Sequence, residues 1–273
     1  MSIPTKAVTG RHNITFTYVN KRLNLELPRT FTFDVVNEGS WDDTSVQDAL
    51  RRRGLRVAVV QQGMPCGALG MGRYDSTGDT YLHATHPVGD RNADFVNFGA
   101  RDVLHAGKYG QEYRSLVRFD LASARKGTRI VAAYLQVYLY GWGGGRPGRG
   151  TFEAYEVLVP WSTGRGTSLY SKDKVLPGEA SWLASAHPGK WRVPGCGAPG
   201  VDRRAQPIST ASVDRATKVW VTLELDADLV ARWLDDPGRN FGVLLLGHGG
   251  RADFRASEFG DAPFRPRLVL GYR

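Results

Sequence analysis

The residues best suited to do chemistry gather around Trp142. It lies in a glycine-rich run, residues 141–150, that also holds Arg146 and Arg149. A predicted strand precedes it, and the second face of that strand carries Tyr134, Tyr138 and Tyr140. Sugar rings stack on aromatic faces through their C–H groups, and a guanidinium pairs with a uronate carboxylate through parallel hydrogen bonds. Trp142, Tyr134, Tyr138, Tyr140, Arg146 and Arg149 are therefore the candidate carbohydrate-binding set. The tyrosine face has an alternative use, packing beneath the N-terminal segment or against a neighbouring subunit.

No catalytic constellation accompanies this set. The chain has no GxSxG, no HExxH, no P-loop and no GxGxxG after a strand. His83 and His86 form an HxxH, but on a strand that spacing sends the two rings to opposite faces, so no metal site is expected there. Asp120, Glu153, Glu156, Glu224, Asp253 and Glu258 fall on predicted strands. A glycosidase pair among them is defined by a separation that sequence does not give. No catalytic residue, metal or cofactor is assigned.

The elements that must position these residues are mostly strands. Period-two runs recur along the chain (Ile14, Phe16, Tyr18; Leu23, Leu25, Leu27; Val117, Phe119, Leu121; Leu135, Val137, Leu139; Val219, Val221, Leu223, Leu225), cut by glycine and proline. One short helix is predicted over residues 44–53, with Val46, Ala49 and Leu50 on its apolar side and Gly54 ending it. A second begins at the cap Asp226, buries Leu229, Val230, Trp233 and Leu234, and stops at Pro237-Gly238. Residues 62–72 are glycine-dense and read as a linker, placing a boundary near residue 75. The expected fold is all-β, a jelly-roll-like β-sandwich over residues 76–273. Residues 1–75 form a smaller strand-rich arm containing one short helix.

Composition bounds the partners. The chain has 273 residues, 36 Lys+Arg against 27 Asp+Glu, and a formal net charge of +9. That excess raises affinity for polyanions in general, acidic polysaccharide among them. Arg51-Arg52-Arg53 is the one tight basic cluster. It sits on the predicted helix beside Asp48 without interleaved aromatics, so nucleic acid is not an expected partner. The longest apolar stretch, residues 241–246, is far short of the ~20 residues of a membrane helix. Cys66 and Cys196 allow one disulfide, which spacing alone does not establish. Residues 1–6 contain no apolar h-region, so no ordinary secretion signal is expected.

Residues 78–273 resemble the DNRLRE-type domain, also classed as carbohydrate-binding module family 96. The likeness rests on blocks in order. They are Asp79-Thr80-Tyr81-Leu82, Asn97-Phe98-Gly99, the strand 114–121, the run 127–135, Trp161 and Trp182, the block 229–234 with 240–245, and Ser257-Glu258 with Arg265-Pro266-Arg267-Leu268. The resemblance implies a non-catalytic sandwich of the kind appended to polysaccharide-active enzymes and cell-surface proteins, with Trp161, Trp182 and Trp233 in its core. Together with the missing leader, it points to a structural or adhesion protein. Such a protein displays its sandwich on an assembled surface, a phage virion as a capsid-decorating or tail-surface subunit, and joins other subunits through residues 1–75. The alternative is a glycan-binding accessory module of a secreted lyase or hydrolase that acts on acidic polysaccharide. Location on a virion or an extracellular surface follows from either reading.

Overall fold

The computed structural model describes residues 43–84, 96–145, 148–167 and 175–273, and the backbone of 10–20 and 25–35. The chain divides into two compact units, Met1–Asp43 and Thr44–Arg273. The first contains a long antiparallel hairpin of β1 (Gly10–Asn20) and β2 (Leu25–Val35), with Gly10 opposite Val35 and Asn20 opposite Leu25.

The second unit opens with α1 (Ser45–Arg52), ended by Gly54 at φ +70°, and β3 (Arg56–Gln61). A two-residue hairpin follows, β4 (Met64–Pro65) with β5 (Arg73–Tyr74). Then come β6 (Thr77–His83), β7 (Val103–Tyr109), β8 (Gln111–Phe119), β9 (Ile130–Trp142) and β10 (Arg149–Glu156). After the short β11 (Ala184–Ala186) and β12 (Gly189–Lys190) lie β13 (Ser209–Asp214) and β14 (Val219–Leu225). The chain closes with α2 (Ala227–Asp235), β15 (Val243–Gly249), β16 (Ala252–Arg255) and β17 (Arg267–Tyr272).

Eleven strands form one curled antiparallel sheet, folded over as a sandwich. One layer runs β13-β10-β15-β8-β6, and the other is built on β9, flanked by β14 on one side and by β17 and β16 on the other. Strand β7 joins the layers, pairing first with β16 and then with β8. Alternation places Val117, Phe152, Leu245, Leu135, Val137 and Leu223 in the space between the layers. The α2 helix seals one edge. Its cap Asp226 accepts a hydrogen bond from the Asp228 N–H, and Leu229, Val230, Trp233 and Leu234 are buried, as their spacing predicts.

Residues 44–75 belong to this sandwich, which corrects the boundary expected near residue 75. Strand β3 pairs with β17 along its whole length, and Cys66, Leu69, Met71 and Tyr74 sit in the main core. The glycines of this stretch bend the chain over the core and do not release it as a linker. The two cysteines are free and lie in separate clusters.

The long excursion after β10 is a cap over the outer face of the first layer. Trp161, Ala180, Trp191 and Cys196 pack there onto Leu82, Leu116, Tyr155 and Leu244. Buried Asp202 accepts the backbone N–H groups of Arg192, Val193 and Ala198 at 2.8–3.0 Å, which fixes the end of the cap. Trp182 is only half-buried, unlike Trp161 and Trp233, because it lies at the rim of the cap under Arg114.

Candidate functional site

Among the described residues, the predicted carbohydrate-binding side chains do not share a surface. A β-bulge explains the largest departure: Asp253 faces Gly141 while Phe254 faces Leu139, so Tyr140 is an extra residue and the parity of β9 reverses beyond it. Trp142 is thereby turned into the core, 4% exposed, with its indole N–H donating to the Ala216 carbonyl at 2.8 Å. That ring has no free face for a sugar. Tyr134 packs in the layer beneath α1, with Leu50 and Val269. Tyr138 is buried against Trp220 and Phe264, and Tyr140 lies under Arg255, whose guanidinium is 3.8 Å from the ring centroid. The tyrosine face is thus roofed by the chain's own α1 and 256–266 segments. Arg149 is exposed and bridges to Asp214 at 2.6 Å. Arg146 and His86 lie outside the described residues.

The register brings a different set together. On the outer face of the first layer, Arg114 of β8, Leu246 of β15, Glu153 of β10 and Thr210 of β13 stand opposite one another in a single row. Three strand spacings make that row about 14 Å long. The adjacent row holds His248, Thr151 and Ser212, with the two hydroxyls 3.1 Å apart. The cap covers the row on the other side, so the platform is open along one flank and walled along the other.

Each charged group on the platform is fixed by neighbours. Arg114 donates to Glu112 at 2.7 Å and to the Gly195 carbonyl at 2.7 Å, and its guanidinium lies 4.9 Å from the Trp182 ring. Gly195, at φ +76°, lets the backbone meet that ring edge-on, since a Cβ there would be 2.6 Å from it. Glu153 receives His248 at 2.8 Å and the Tyr155 hydroxyl at 2.7 Å, and Arg203 lies 3.9 Å over the Tyr155 ring. The His248 hydrogen bond holds the Glu153 carboxyl below its ordinary value. Burial, then Glu153 itself, pushes the Tyr155 phenol up. The result is an ordered array of hydrogen-bond donors and acceptors across four strands.

No protein-family model and no curated protein matches the chain. Arg114, Tyr155, Arg203 and His248 were outside the predicted set: cross-strand register brings Arg114 and His248 to the Glu153 strand, Tyr155 lies two residues along that same strand, and Arg203 reaches its ring from the segment after β12.

Two ionisable pairs with a buried member lie elsewhere. His105 Nδ1 is 2.8 Å from Asp253, which also accepts from Arg251 at 2.8 Å, among the rings of Tyr81 and Tyr113. Burial lowers the His105 pKa, against the pull of Asp253. Asp79 and Glu258 form the second pair, beside Ser257. His83 stacks on Tyr113 and hydrogen-bonds Gln111. Among the described residues, no group of three or more His, Cys, Asp or Glu is arranged to hold a metal, and no helix is long and apolar enough to cross a membrane.

Proposed function

We propose that this chain is a non-catalytic adhesion protein that binds polysaccharide on the Arg114–Glu153–His248 platform and displays it on an assembled surface, of the kind a phage particle presents. The observation that carries the reading is the pair of adjacent outward rows across four strands, in which Arg114, Glu153, His248, Thr151 and Ser212 are each held by a neighbouring group before any ligand arrives. Preorganisation of this kind lowers the entropy cost of binding a flexible sugar chain. Arg114 and Arg203 suit an acidic glycan, and Glu153 and the Thr151 and Ser212 hydroxyls suit its neutral hydroxyls. The arrangement favours binding over turnover. Tyr155 and His248 spend their hydrogen bonds on Glu153, and the raised Tyr155 phenol is a poor base at neutral pH. The N-terminal hairpin, a compact unit of its own, supports the display half of the reading as the element that joins a larger surface.

Titrating polygalacturonate and alginate oligomers into the full chain by calorimetry tests the proposal. Arg114→Gln and His248→Ala are each expected to weaken binding about tenfold, the scale of one charge-assisted hydrogen bond, ~1.4 kcal/mol. Unchanged affinity in both variants, or turnover of either polymer by the unaltered chain, overturns it.

A further inference from the structure

We propose that the arginine-rich end of the sandwich binds the phosphate backbone of double-stranded nucleic acid without reading its sequence. The sequence shows only Arg51-Arg52-Arg53; the fold adds the rest. These three side chains are exposed at the end of α1, and Leu55, hydrogen-bonded back to Leu50, ties that end directly to the start of β3. Arg56, the first residue of β3 and exposed, stands opposite Tyr272, which stands opposite Ile130 of β9. Arg129 immediately precedes Ile130, and its carbonyl accepts the Arg273 N–H at 3.1 Å. Exposed Arg129 and Lys126 therefore share one end of the sheet with Arg51, Arg52, Arg53 and Arg56. Asp48, paired with Arg51, tempers the patch, and Glu224 and Asp226 bound it on the far side of β9.

The choice of partner follows from charge density and from the lack of stacking surfaces. Two strand spacings and one helical turn give a patch of about 15 Å. Duplex DNA presents one charge per ~1.7 Å, so neutralising its phosphates releases more counterions than a uronate chain does. Tyr272, the aromatic ring at the patch, is buried under the Arg56 guanidinium, so unpaired bases find no platform and a duplex is favoured over a single strand. Arginine forks match phosphate oxygens in pairs.

The test is fluorescence anisotropy of a labelled 20-base-pair duplex of arbitrary sequence with the full chain, between 50 and 200 mM NaCl. With four to six phosphates neutralised, the log–log salt slope is expected between about −3.6 and −5.4, a loss of roughly 10²- to 10³-fold over that range. Replacing Arg51, Arg52 and Arg53 by Ala should flatten the slope by about 2 to 3, replacing them by Lys should restore it, and Arg129→Glu should weaken binding in a fold whose thermal unfolding is unchanged. Arg114→Gln should leave duplex binding intact, which separates this site from the glycan platform. Failure to bind at 50 mM, a slope retained in the triple Ala variant, or displacement of the duplex from the Arg114→Gln variant by an alginate oligomer at lower concentration than by unlabelled duplex overturns the proposal.

Discussion

Asn97→Ala is expected to cost about 4 kcal/mol or more, a large share of the ~5–15 kcal/mol by which domains are stable. The side chain is buried and uses its full hydrogen-bonding capacity. Its amide donates to the Thr163 carbonyl at 2.6 Å and to the Ala180 carbonyl at 2.8 Å, and its carbonyl accepts the Gly99 and Gly166 N–H groups at 2.9 and 2.8 Å. Truncation leaves four backbone groups without partners, those of Ala180 and Gly99 buried and those of Thr163 and Gly166 partly so, at up to about 1–3 kcal/mol each before relaxation. The backbone packs tightly here, so relaxation is limited: a Cβ on Gly166 would lie 1.8 Å from the Asn97 carbonyl oxygen, and one on Gly99 would lie 1.9 Å from that of Thr163. Asn97→Asp keeps the two acceptor bonds but turns an anionic oxygen toward two carbonyls, so it should be no milder. Thermal unfolding followed by tryptophan fluorescence reads the effect, because Trp161 and Trp191 in the cap report on the same segment. A loss below 1 kcal/mol would show that the cap is held elsewhere.

The same chemistry recurs at Asn240-Phe241-Gly242. There the Asn240 carbonyl accepts the Gly242 N–H at 3.0 Å and its amide donates to the Phe119 carbonyl at 2.6 Å. Both tripeptides are visible in the sequence, and nothing in their local pattern says that the first pins a cap and the second a layer edge.

Legibility elsewhere divides along the same line between local and long-range order. The alternation of Val117, Phe119 and Leu121 and the Asp226 cap could be read directly, because side-chain period and capping are set within a few residues. Trp142 could not, since one bulge at Tyr140 reverses which face it occupies and only the partner strand β16 reveals the bulge. Residues 62–72 misled for a related reason. Glycine density marks a chain that turns, and turning over a core looks in sequence like turning away from it. For the platform, Glu153 is recognisable as a strand carboxylate, but Arg114, Leu246 and Thr210 become its neighbours through three separate pairings. A register across four strands has no signature in any one of them.

Asp79→Asn is expected to stabilise the protein above neutral pH by about 1–3 kcal/mol and to leave it unchanged near pH 4. Asp79 is fully buried. One carboxylate oxygen accepts the Ser257 N–H at 2.9 Å, and the other has no donor among the described residues, with the Glu258 carboxyl beside it. Burial first, and the Glu258 charge second, push the Asp79 pKa well above 3.8, and burial raises Glu258 as well. The folded protein therefore keeps a proton that the unfolded chain releases near pH 4, so stability is fully present below that point and falls as pH rises through the folded value. Asparagine reproduces the protonated pair: its amide donates to Glu258, its carbonyl keeps the Ser257 bond, and the slope disappears. His105 acts in the opposite sense. Its lowered pKa means that stability is lost as pH falls below the ordinary 6.5 through the folded value. Denaturant unfolding between pH 4 and 9 should thus show stability falling toward alkaline pH in the unaltered chain, with His105 offsetting that fall between its folded value and 6.5, and a raised alkaline limb in Asp79→Asn. An alkaline limb identical in the two proteins would mean that Asp79 is ionised in the fold and that the shared proton does not exist.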